Sequence, residues 1–233
     1  MKLTTKDVKV VDDPVTSEVF NTDCLEYMRT LPDKAFQLAI ADPPYGGGSI
    51  KATGTRFKRY EKCGVKASDW DIEPPQEFFD ELFRVADKVM IWGGNYFPLP
   101  ASRCFIVWDK KQPENFTMAM AEYCWTNMDS NAKIFRMQSQ SDKEDPRFHP
   151  TQKPVALYAW LLKNYAKPGD RIFDPMMGSQ SSRIAAYKMG FDYVGCELDK
   201  EYFDKGCERF NRECKGEIVT KDGNIVKQMS LFE

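Results

Sequence analysis

The sequence predicts a doubly wound α/β fold with a mostly parallel sheet of about seven strands. Short apolar runs alternate with amphipathic segments almost throughout the chain, which is the order expected when helices connect parallel strands. One run, 35–42, is apolar apart from Gln37 and closes on an aspartate, as strands buried on both faces do. The 233 residues, 42% of them hydrophobic, suffice for one α/β domain with a sizeable core. Ligands of such sheets bind at the carboxyl ends of the strands.

The elements of the first half follow from the spacing of apolar residues. The segment 17–23 alternates and is predicted as a strand. The segment 24–32 has helical spacing and ends at a proline. Another proline opens the helix predicted at 74–86, where apolar residues recur every three or four positions. The apolar runs 88–94 and 103–110 are predicted as strands.

The second half continues the alternation by the same criteria. In order, the predictions are helix 117–127, strand 132–137, helix 155–166, strand–turn–helix 171–190, strand 193–199 and helix 200–214. A single domain is expected over 1–233, with loop insertions at 46–70 and 128–150. The C-terminal tail, 217–233, contains an Asp-Gly turn signal and is predicted to form a hairpin or a strand pair.

Composition excludes several classes of function. The formal net charge is −2, so any nucleic-acid site must be a local basic patch. Seven cysteines without CxxC spacing argue against a disulfide framework or a zinc ribbon, and His149 as the only histidine argues against a metal site. We find neither a signal peptide nor an apolar run of about 18 residues. A cytoplasmic protein without a membrane span is therefore expected.

The stretch ADPPYGGGS joins a rigid segment to a flexible one. Pro43 and Pro44 fix the backbone beside Asp42, and three glycines follow Tyr45. A carboxylate and a proline carbonyl offer two acceptors, which suit the two donors of a planar amino group. An aromatic side chain close by can stack on the ring that carries the amine. The stretch therefore indicates a site for the exocyclic amino group of a base; the alternative is a strand exit in which Asp42 caps a turn.

Three further features fall at or beside predicted strand ends. In FDPMMGSQSS, Gly178, Ser179 and Ser181 predict a tight turn whose free backbone N–H groups can bind a carboxylate or phosphate. Glu197 ends the next strand, where an acidic residue commonly accepts hydrogen bonds from ribose hydroxyls. Lys153, in HPTQKP, can hold a carboxylate. The alternatives are an ordinary turn, a solvent-facing glutamate and a turn that leads into a helix.

Taken in order, DPPY, HPTQKP, FDPMMGSQSS and VGCELD resemble the β-class DNA amino-methyltransferases. The resemblance extends from about Val19 to Arg209 and includes the opening pattern NTDCLEYMRTLPDKAFQLAIADPPYG. In this class the catalytic motif precedes the cofactor-binding glycine turn. The resemblance therefore implies a Rossmann-like sheet that is circularly permuted in sequence.

The resemblance also implies S-adenosylmethionine as the cofactor. By matching position, its contacts would be Asp23 and Cys24 at the adenine, Glu197 at the ribose, Asp174 and Gly178 at the methionine part, with Thr151 and Lys153 nearby. Ser179 belongs to the same turn as Gly178. The turn departs from the family pattern, since Met176 replaces an aromatic residue and Gln180 a glycine. We expect Gln180 to add bulk near the methionine part and to affect cofactor affinity more than the fold.

The implied reaction is methyl transfer to N6 of adenine in double-stranded DNA. Relatives that methylate cytosine N4 usually carry serine in place of Asp42, which favours adenine. The target base must leave the helix, because its amine is otherwise inside a base pair. Tyr45 would stack on the flipped ring while Asp42 and the Pro43 carbonyl accept its two N–H bonds. The alternatives are an N4-cytosine or RNA adenine methyltransferase, and a catalytically silent subunit that only binds nucleic acid, which the altered Gln180 motivates.

A basic segment follows the DPPY motif. Six cations between 51 and 66 oppose only Glu61, and Phe57 and Tyr60 interleave with them. Of these, the predicted DNA-binding residues are Lys51, Arg56, Lys58 and Arg59. Cations mixed with aromatic residues suit a phosphate backbone and an unstacked base; the alternative is a solvated charged loop. The second loop, 128–150, is the predicted target-reading region.

The chain ends with the residues KQMSLFE. Gln228, Leu231 and Phe232 resemble the pentapeptide with which bacterial polymerases and repair proteins bind the sliding clamp. A clamp tether would raise the local concentration of the protein at new DNA without new base contacts. The alternative is a strand that packs Leu231 and Phe232 on the protein's own sheet. A homodimer is left open.

Overall fold

The computed structural model describes residues 15–46, 72–115, 119–138, 147–219 and 225–227. Two sets of predicted interaction residues lie outside these ranges: Lys51, Arg56, Lys58 and Arg59, and Gln228, Leu231 and Phe232. Their roles toward DNA and toward a sliding clamp stay predictions. The same holds for most of the loop predicted at 46–70 and for the centre of the loop predicted at 128–150.

The described residues alternate between strands and helices as expected. The strands are β1 Ser17–Asn21, β2 Phe36–Ala41, β3 Ala86–Trp92, β4 Phe105–Asp109, β5 Ala121–Thr126, β6 Lys133–Arg136, β7 Arg171–Asp174, β8 Asp192–Glu197, β9 Glu217–Val219 and β10 Ile225–Lys227. The α-helices are α1 Cys24–Arg29, α2 Gln76–Val85, α3 Val155–Tyr165, α4 Ser181–Lys188 and α5 Lys200–Lys215. A 3₁₀ turn spans Gly94–Tyr96.

Eight strands form one sheet in the order β1-β8-β7-β2-β3-β5-β4-β6. Neighbouring strands run parallel except where β5 pairs with β3 and with β4. The doubly wound, mostly parallel α/β fold is thus confirmed, with eight strands in this sheet in place of about seven. The tail prediction of a strand pair is also confirmed, because β9 and β10 pair antiparallel in a sheet of their own.

The additional strand, β5, lies in the segment 117–127, for which the prediction of a helix was wrong. A short apolar run fits the period of a helix or of a strand, and the spacing alone does not separate the two. In the fold, Cys124 and Trp125 are buried in the cores on opposite faces of the sheet, which is the period-two pattern of a strand. Backbone pairing with β3 and β4 on both sides determines the outcome.

The sheet is buried on both faces, which explains why β2 is apolar at every position except Gln37. Leu38 and Ile40 belong to the core under α3 and α4, whereas Ala39 and Ala41 belong to the core under α1 and α2. Burial of one such side chain as large as Leu38 stabilises the fold by roughly 1.5–3 kcal/mol. The sheet is therefore a rigid support for the groups at its edges.

The parallel strands β1, β8, β7 and β2 are neighbours, so their carboxyl ends meet at one edge. That edge carries Asn21, Glu197, Asp174 and Ala41, the last residues of the four strands. The strand before the glycine turn, β7, lies next to β2 although it comes much later in the chain. Helices long and apolar enough to cross a membrane do not occur among the described residues.

Candidate active site

Asp42 follows β2 directly and lies between two hydrogen-bond donors. The Tyr45 hydroxyl donates to Oδ1 of Asp42 at 3.2 Å, and the Lys153 ammonium donates to Oδ2. Pro43 and Pro44 fix the backbone between the carboxylate and the ring. Burial raises the pKa of Asp42, and Lys153 opposes this shift. Asp42 is therefore a desolvated acceptor, held in place at the edge of the sheet.

Lys153 is a buried cation between two carboxylates. Its side chain is 3% exposed, and Nζ lies 3.3 Å from Oε2 of Glu122 as well as against Asp42. The other oxygen of Glu122, Oε1, lies 2.5 Å from Nζ of Lys110. Although burial disfavours the charge, the two carboxylates raise the pKa of Lys153 above its usual range. The structure thus places the Lys153 ammonium on side chains of the protein itself; its contact with a cofactor stays a prediction.

The Tyr45 ring packs on backbone and on a second aromatic ring. A Cβ on Gly93 would lie 2.1 Å from Cε1 of Tyr45 and 2.5 and 2.7 Å from the two ring atoms bonded to Cε1. These distances place that Cβ over the ring face, so only a glycine allows this approach. Tyr96 stacks on Tyr45 with ring centroids 4.8 Å apart, and Tyr96 is 58% exposed.

Asp174 ends β7 as a buried acid. Ser182 Oγ donates to Oδ2 at 2.5 Å, and the backbone N–H of Met176 donates to Oδ1 at 3.1 Å. Ser182 Oγ also lies 2.9 Å from the Tyr193 hydroxyl. Burial raises the pKa of Asp174 to about 7, because these hydrogen bonds compensate only part of the desolvation. A cationic group beside this carboxyl would favour its ionised form.

Gly178 and Glu197 are joined across the turn. The Gly178 N–H donates to Oε2 of Glu197 at 2.9 Å, and the Asp199 N–H donates to Oε1 at 2.9 Å. The His149 ring covers Gly178, since a Cβ there would lie 3.0 Å from its Cε1. Burial lowers the pKa of His149 to about 4, so the ring is neutral at pH 7. Thr151 Oγ1 lies 3.3 Å from His149 Nδ1.

Asp23 caps α1 beside the same edge. Its Oδ1 accepts from the backbone N–H groups of Leu25 at 2.7 Å and Glu26 at 3.2 Å. The preceding N–H, of Thr22, donates to the Glu197 carbonyl at 3.2 Å, which fixes the cap next to β8. Burial raises the pKa of the Cys24 thiol to about 12, so the thiol is neutral. The structure therefore brings these predicted residues together with Glu197.

The turn residues Ser179 and Gln180 are buried. Ser179 Oγ lies 3.2 Å from Ser181 Oγ. Gln180 adopts a left-handed φ of 59°, which explains why glycine is usual there. Its side chain is fully buried against α5, where Nε2 donates to the Phe203 carbonyl and Oε1 accepts from Arg183. The Gln180 side chain thus packs beside α5, and its effect on cofactor affinity stays a prediction.

Residues 91–208, just over half of the chain, match the N6_N4_Mtase family model, described as DNA methylase. The chain belongs to this DNA methylase family. The matched region contains Lys153, the glycine turn and Glu197, and it begins after Asp42. Membership is thus established by the second half of the site independently of the DPPY motif.

Two individual proteins are similar to this chain over most of its length. The type II methyltransferase M.HinfI of Haemophilus influenzae is 23% identical over 250 residues, which cover 84% of this chain and 68% of the relative. TTHA0409 of Thermus thermophilus, assigned provisionally as a DNA modification methylase and solved with S-adenosyl-L-methionine, has a TM-score of 0.55 and 19% identity. That match covers 86% of this chain and 97% of the other.

The fold does not distinguish between target bases. The cytosine-N4-specific PvuII DNA methyltransferase matches with a TM-score of 0.56 at 14% identity, over 88% of this chain and 95% of that one. At this identity the match establishes the fold alone. The choice of amine must therefore be argued from the residues of the site.

Sequence reasoning missed several residues of the methylase site. They are Gly93 and Tyr96 at the Tyr45 ring, Glu122 at Lys153, Lys110 at Glu122, and His149 at Gly178. Two of them had a signal in the sequence: Gly93 belongs to the Gly-Gly pair after β3, and His149 is the single histidine and opens HPTQKP. Glu122 gave none, because its segment was predicted as a helix and its partners come from other elements.

Proposed function

We propose that this DNA methylase transfers a methyl group from S-adenosylmethionine to N6 of adenine in double-stranded DNA. The observation that carries the proposal is the Asp42 carboxylate, which is desolvated and held by Tyr45 and Lys153 at the edge that also holds Asp174 and Glu197. One edge of the sheet thus carries two acids suited to the cofactor, Asp174 and Glu197, and one acid suited to an amine, Asp42.

The residues at the turn fit the chemistry of the cofactor. S-adenosylmethionine, when bound, supplies an electrophilic methyl group. Asp174, with its pKa raised by burial, suits the cationic amino group of a methionine moiety. Each Glu197 oxygen accepts one backbone N–H and retains capacity for a second donor, such as a ribose hydroxyl. Because Gly178 has no side chain, it would let the backbone of the turn approach the cofactor closely.

The remaining cofactor contacts are assigned by position along the same edge. Asp23 and Cys24, fixed beside β8 by the cap of α1, would contact the adenine. Thr151 and Lys153 would lie near the methionine part, and Ser179 would contribute its backbone and not its buried side chain. These assignments are supported by the shared edge and by the family resemblance.

On the substrate side, Asp42 and the Pro43 carbonyl would accept the two N–H bonds of the target amine. This draws the nitrogen lone pair out of conjugation with the ring and orients it for attack on the methyl group. Tyr45 would stack on the base, which must leave the duplex to reach the site and would take the place of the exposed Tyr96 ring. After transfer the nitrogen carries an extra proton, which passes to Asp42 or to water. Burial supports the first route, since it makes the Asp42 carboxylate more basic.

Adenine is favoured over cytosine because position 42 carries an aspartate, whereas cytosine-N4 relatives of the class usually carry a serine. RNA adenine methylation is the second alternative. Long-read sequencing of DNA from cells that express the protein tests both, since it reports base, position and sequence context together. The proposal predicts N6-methyladenine in a fixed short context. Modified cytosine would contradict the adenine assignment, and unmodified DNA would contradict the DNA substrate.

Tyr45 offers a test of the stacking role. Because stacking needs the ring, we expect Tyr45→Ala to lower kcat/KM for DNA by roughly 10- to 100-fold. Tyr45→Phe keeps the ring and loses only the 3.2 Å hydrogen bond to Asp42, so its loss should be roughly 10-fold at most. Steady-state kinetics with a duplex substrate measures both variants. Equal losses in the two variants would contradict stacking and assign the role to the hydroxyl.

The basic segment after the DPPY motif offers a test of DNA contact. Neutralising Arg56, Lys58 and Arg59 together should weaken DNA binding and flatten the dependence of affinity on salt, because fewer counterions are released. Fluorescence anisotropy at several salt concentrations measures the slope. A triple control on exposed lysines, Lys188, Lys200 and Lys205, changes the net charge equally. The same slope in both triple variants would show that the phosphate contacts lie elsewhere.

A further inference from the structure

The ion pair of Asp42 is one end of a chain of four charges. Lys153 contacts Asp42 and lies 3.3 Å from Glu122, and Glu122 lies 2.5 Å from Lys110. The four groups come from different elements: Asp42 follows β2, Glu122 lies on β5, Lys110 follows β4 and Lys153 precedes α3. Their charges sum to zero, so each carboxylate has the equivalent of one cation.

The chain is shielded from water along its length. The side chains of Lys153, Asp42, Lys110 and Glu122 are 3%, 13%, 15% and 24% exposed. In such surroundings neighbouring charges interact several times more strongly than in bulk water. Lys153 is hydrogen-bonded to Asp42, whereas Oε2 of Glu122 is in charge contact with it outside hydrogen-bond geometry. A change at Glu122 must therefore alter how strongly Lys153 compensates the charge of Asp42.

We propose that Glu122, held by Lys110, is a positioning residue that shares the Lys153 ammonium with Asp42 and so sets how strongly Asp42 accepts hydrogen bonds from the target amine. The proposal rests on the proposed function of Asp42. Without Glu122, one carboxylate would face two cations and be a weaker acceptor. Without Lys110, two carboxylates would share one cation, and the negative charge of Asp42 would be less fully compensated.

Other ionisable groups around the chain do not duplicate this arrangement. The groups that face Asp42 or Lys153 from the packed elements are Tyr45 after β2, Cys124 on β5, Asp174 at the end of β7, Tyr158 on α3 and His149 before α3. Burial raises the pKa of Tyr45, Tyr158 and Cys124 and lowers that of His149, so these groups are neutral at pH 7. Asp174 is the remaining acid. Its partners, Ser182 and the Met176 N–H, are unchanged in Glu122→Gln and Lys110→Gln, so its titration is common to the proteins compared.

The sign of the expected pH effect follows from the charges. Asp42 acts as a carboxylate, so activity is present above its pKa and is lost as the pH falls through it. Glu122 raises the pKa of Asp42, and its removal must lower that pKa. Loss of Lys110 removes positive charge from the chain and must raise it. Glu122→Gln should therefore shift the acid limb of kcat/KM to lower pH, and Lys110→Gln should shift it to higher pH.

The experiment compares the full-length protein with Glu122→Gln and Lys110→Gln, using kcat/KM for duplex DNA over the acid limb. We expect shifts of at least about half a pH unit in opposite directions. In Glu122→Gln, kcat above the limb should fall roughly 3- to 10-fold with little change in KM for DNA, because the acceptor is weaker. Glu77→Gln is the matched control. Glu77 forms an ion pair with Arg29, and the side chains of both residues are half exposed.

The outcomes separate this inference from the proposed function. If the acid limb is unshifted in both variants, the inference is overturned, whatever their melting temperatures. A merely structural role would lower stability without moving the acid limb. Shifts in the same direction would also overturn it. If Glu122→Gln does not bind S-adenosylmethionine in calorimetry, Lys110→Gln alone decides by its upward shift. An inactive wild-type protein on DNA would instead refute the proposed function.

Discussion

Asparagine in place of Asp42 is expected to lower kcat for DNA methylation by roughly 10²- to 10⁴-fold, the range typical of a lost proton-accepting group. The substitution keeps the shape of the side chain and removes its charge, so one of the two acceptors for the target amine becomes partly a donor. The fold should persist, because Lys153 keeps Glu122 as a charged partner. Binding of S-adenosylmethionine should change little.

Single-turnover kinetics and calorimetry measure the two expectations for Asp42→Asn separately. Asp204→Asn is the matched control: its side chain is 52% exposed and pairs at the surface with Lys200. That control should retain activity and stability, since exposed ion pairs contribute about 0–1 kcal/mol. An Asp42→Asn protein that methylates DNA near the wild-type rate would show that the carboxylate does not accept the amine.

Alanine at Gly93 is expected to displace the Tyr45 ring and to lower kcat/KM for DNA by about 100-fold, as small misplacements of a positioning group do. The new methyl group would lie 2.1 Å from the ring, and the φ of 67° adds backbone strain. Both effects also lower the free energy of unfolding by roughly 1–3 kcal/mol. Duplex kinetics, together with the fluorescence of 2-aminopurine at the target position, reports activity and stacking.

Gly190→Ala separates the clash at Gly93 from backbone strain. Gly190 has a φ of 77° and no atom within 4 Å of the added Cβ, so alanine there brings strain alone. The Gly190 variant should lose stability and keep its activity on DNA. If the Gly93 variant methylates DNA as well as the Gly190 variant does, the Tyr45 ring is not positioned by Gly93.

Most of the fold could be predicted because burial on both faces imposes a clear sequence pattern. β2 is apolar apart from Gln37, β3 is apolar over 89–92, and α2 places its apolar residues on one face. β5 could not be recognised, because a run of six residues satisfies both periods and only its pairing with β3 and β4 decides. Tertiary pairing of this kind is not encoded in local spacing.

The candidate site was predictable where one motif carries its own chemistry. Asp42 and Tyr45 lie three residues apart, and their hydrogen bond is local. The contacts of Lys153 were not predictable, since Glu122 reaches it from β5 and is itself paired with Lys110, which follows β4. For Gln180 the replaced glycine was visible, but the direction of the side chain depends on a buried contact with Arg183 and α5.

The central claim is that Asp42 directs methyl transfer to the exocyclic amine of adenine in DNA. The most direct measurement incubates the purified protein with duplex DNA and isotopically labelled S-adenosylmethionine, digests the DNA to nucleosides and identifies the labelled product by mass spectrometry. Asp42→Asn and an RNA substrate run in parallel. We expect labelled N6-methyladenine from wild-type protein on DNA and almost none from Asp42→Asn. Labelled N4-methylcytosine, label confined to RNA, or equal labelling by Asp42→Asn would contradict it.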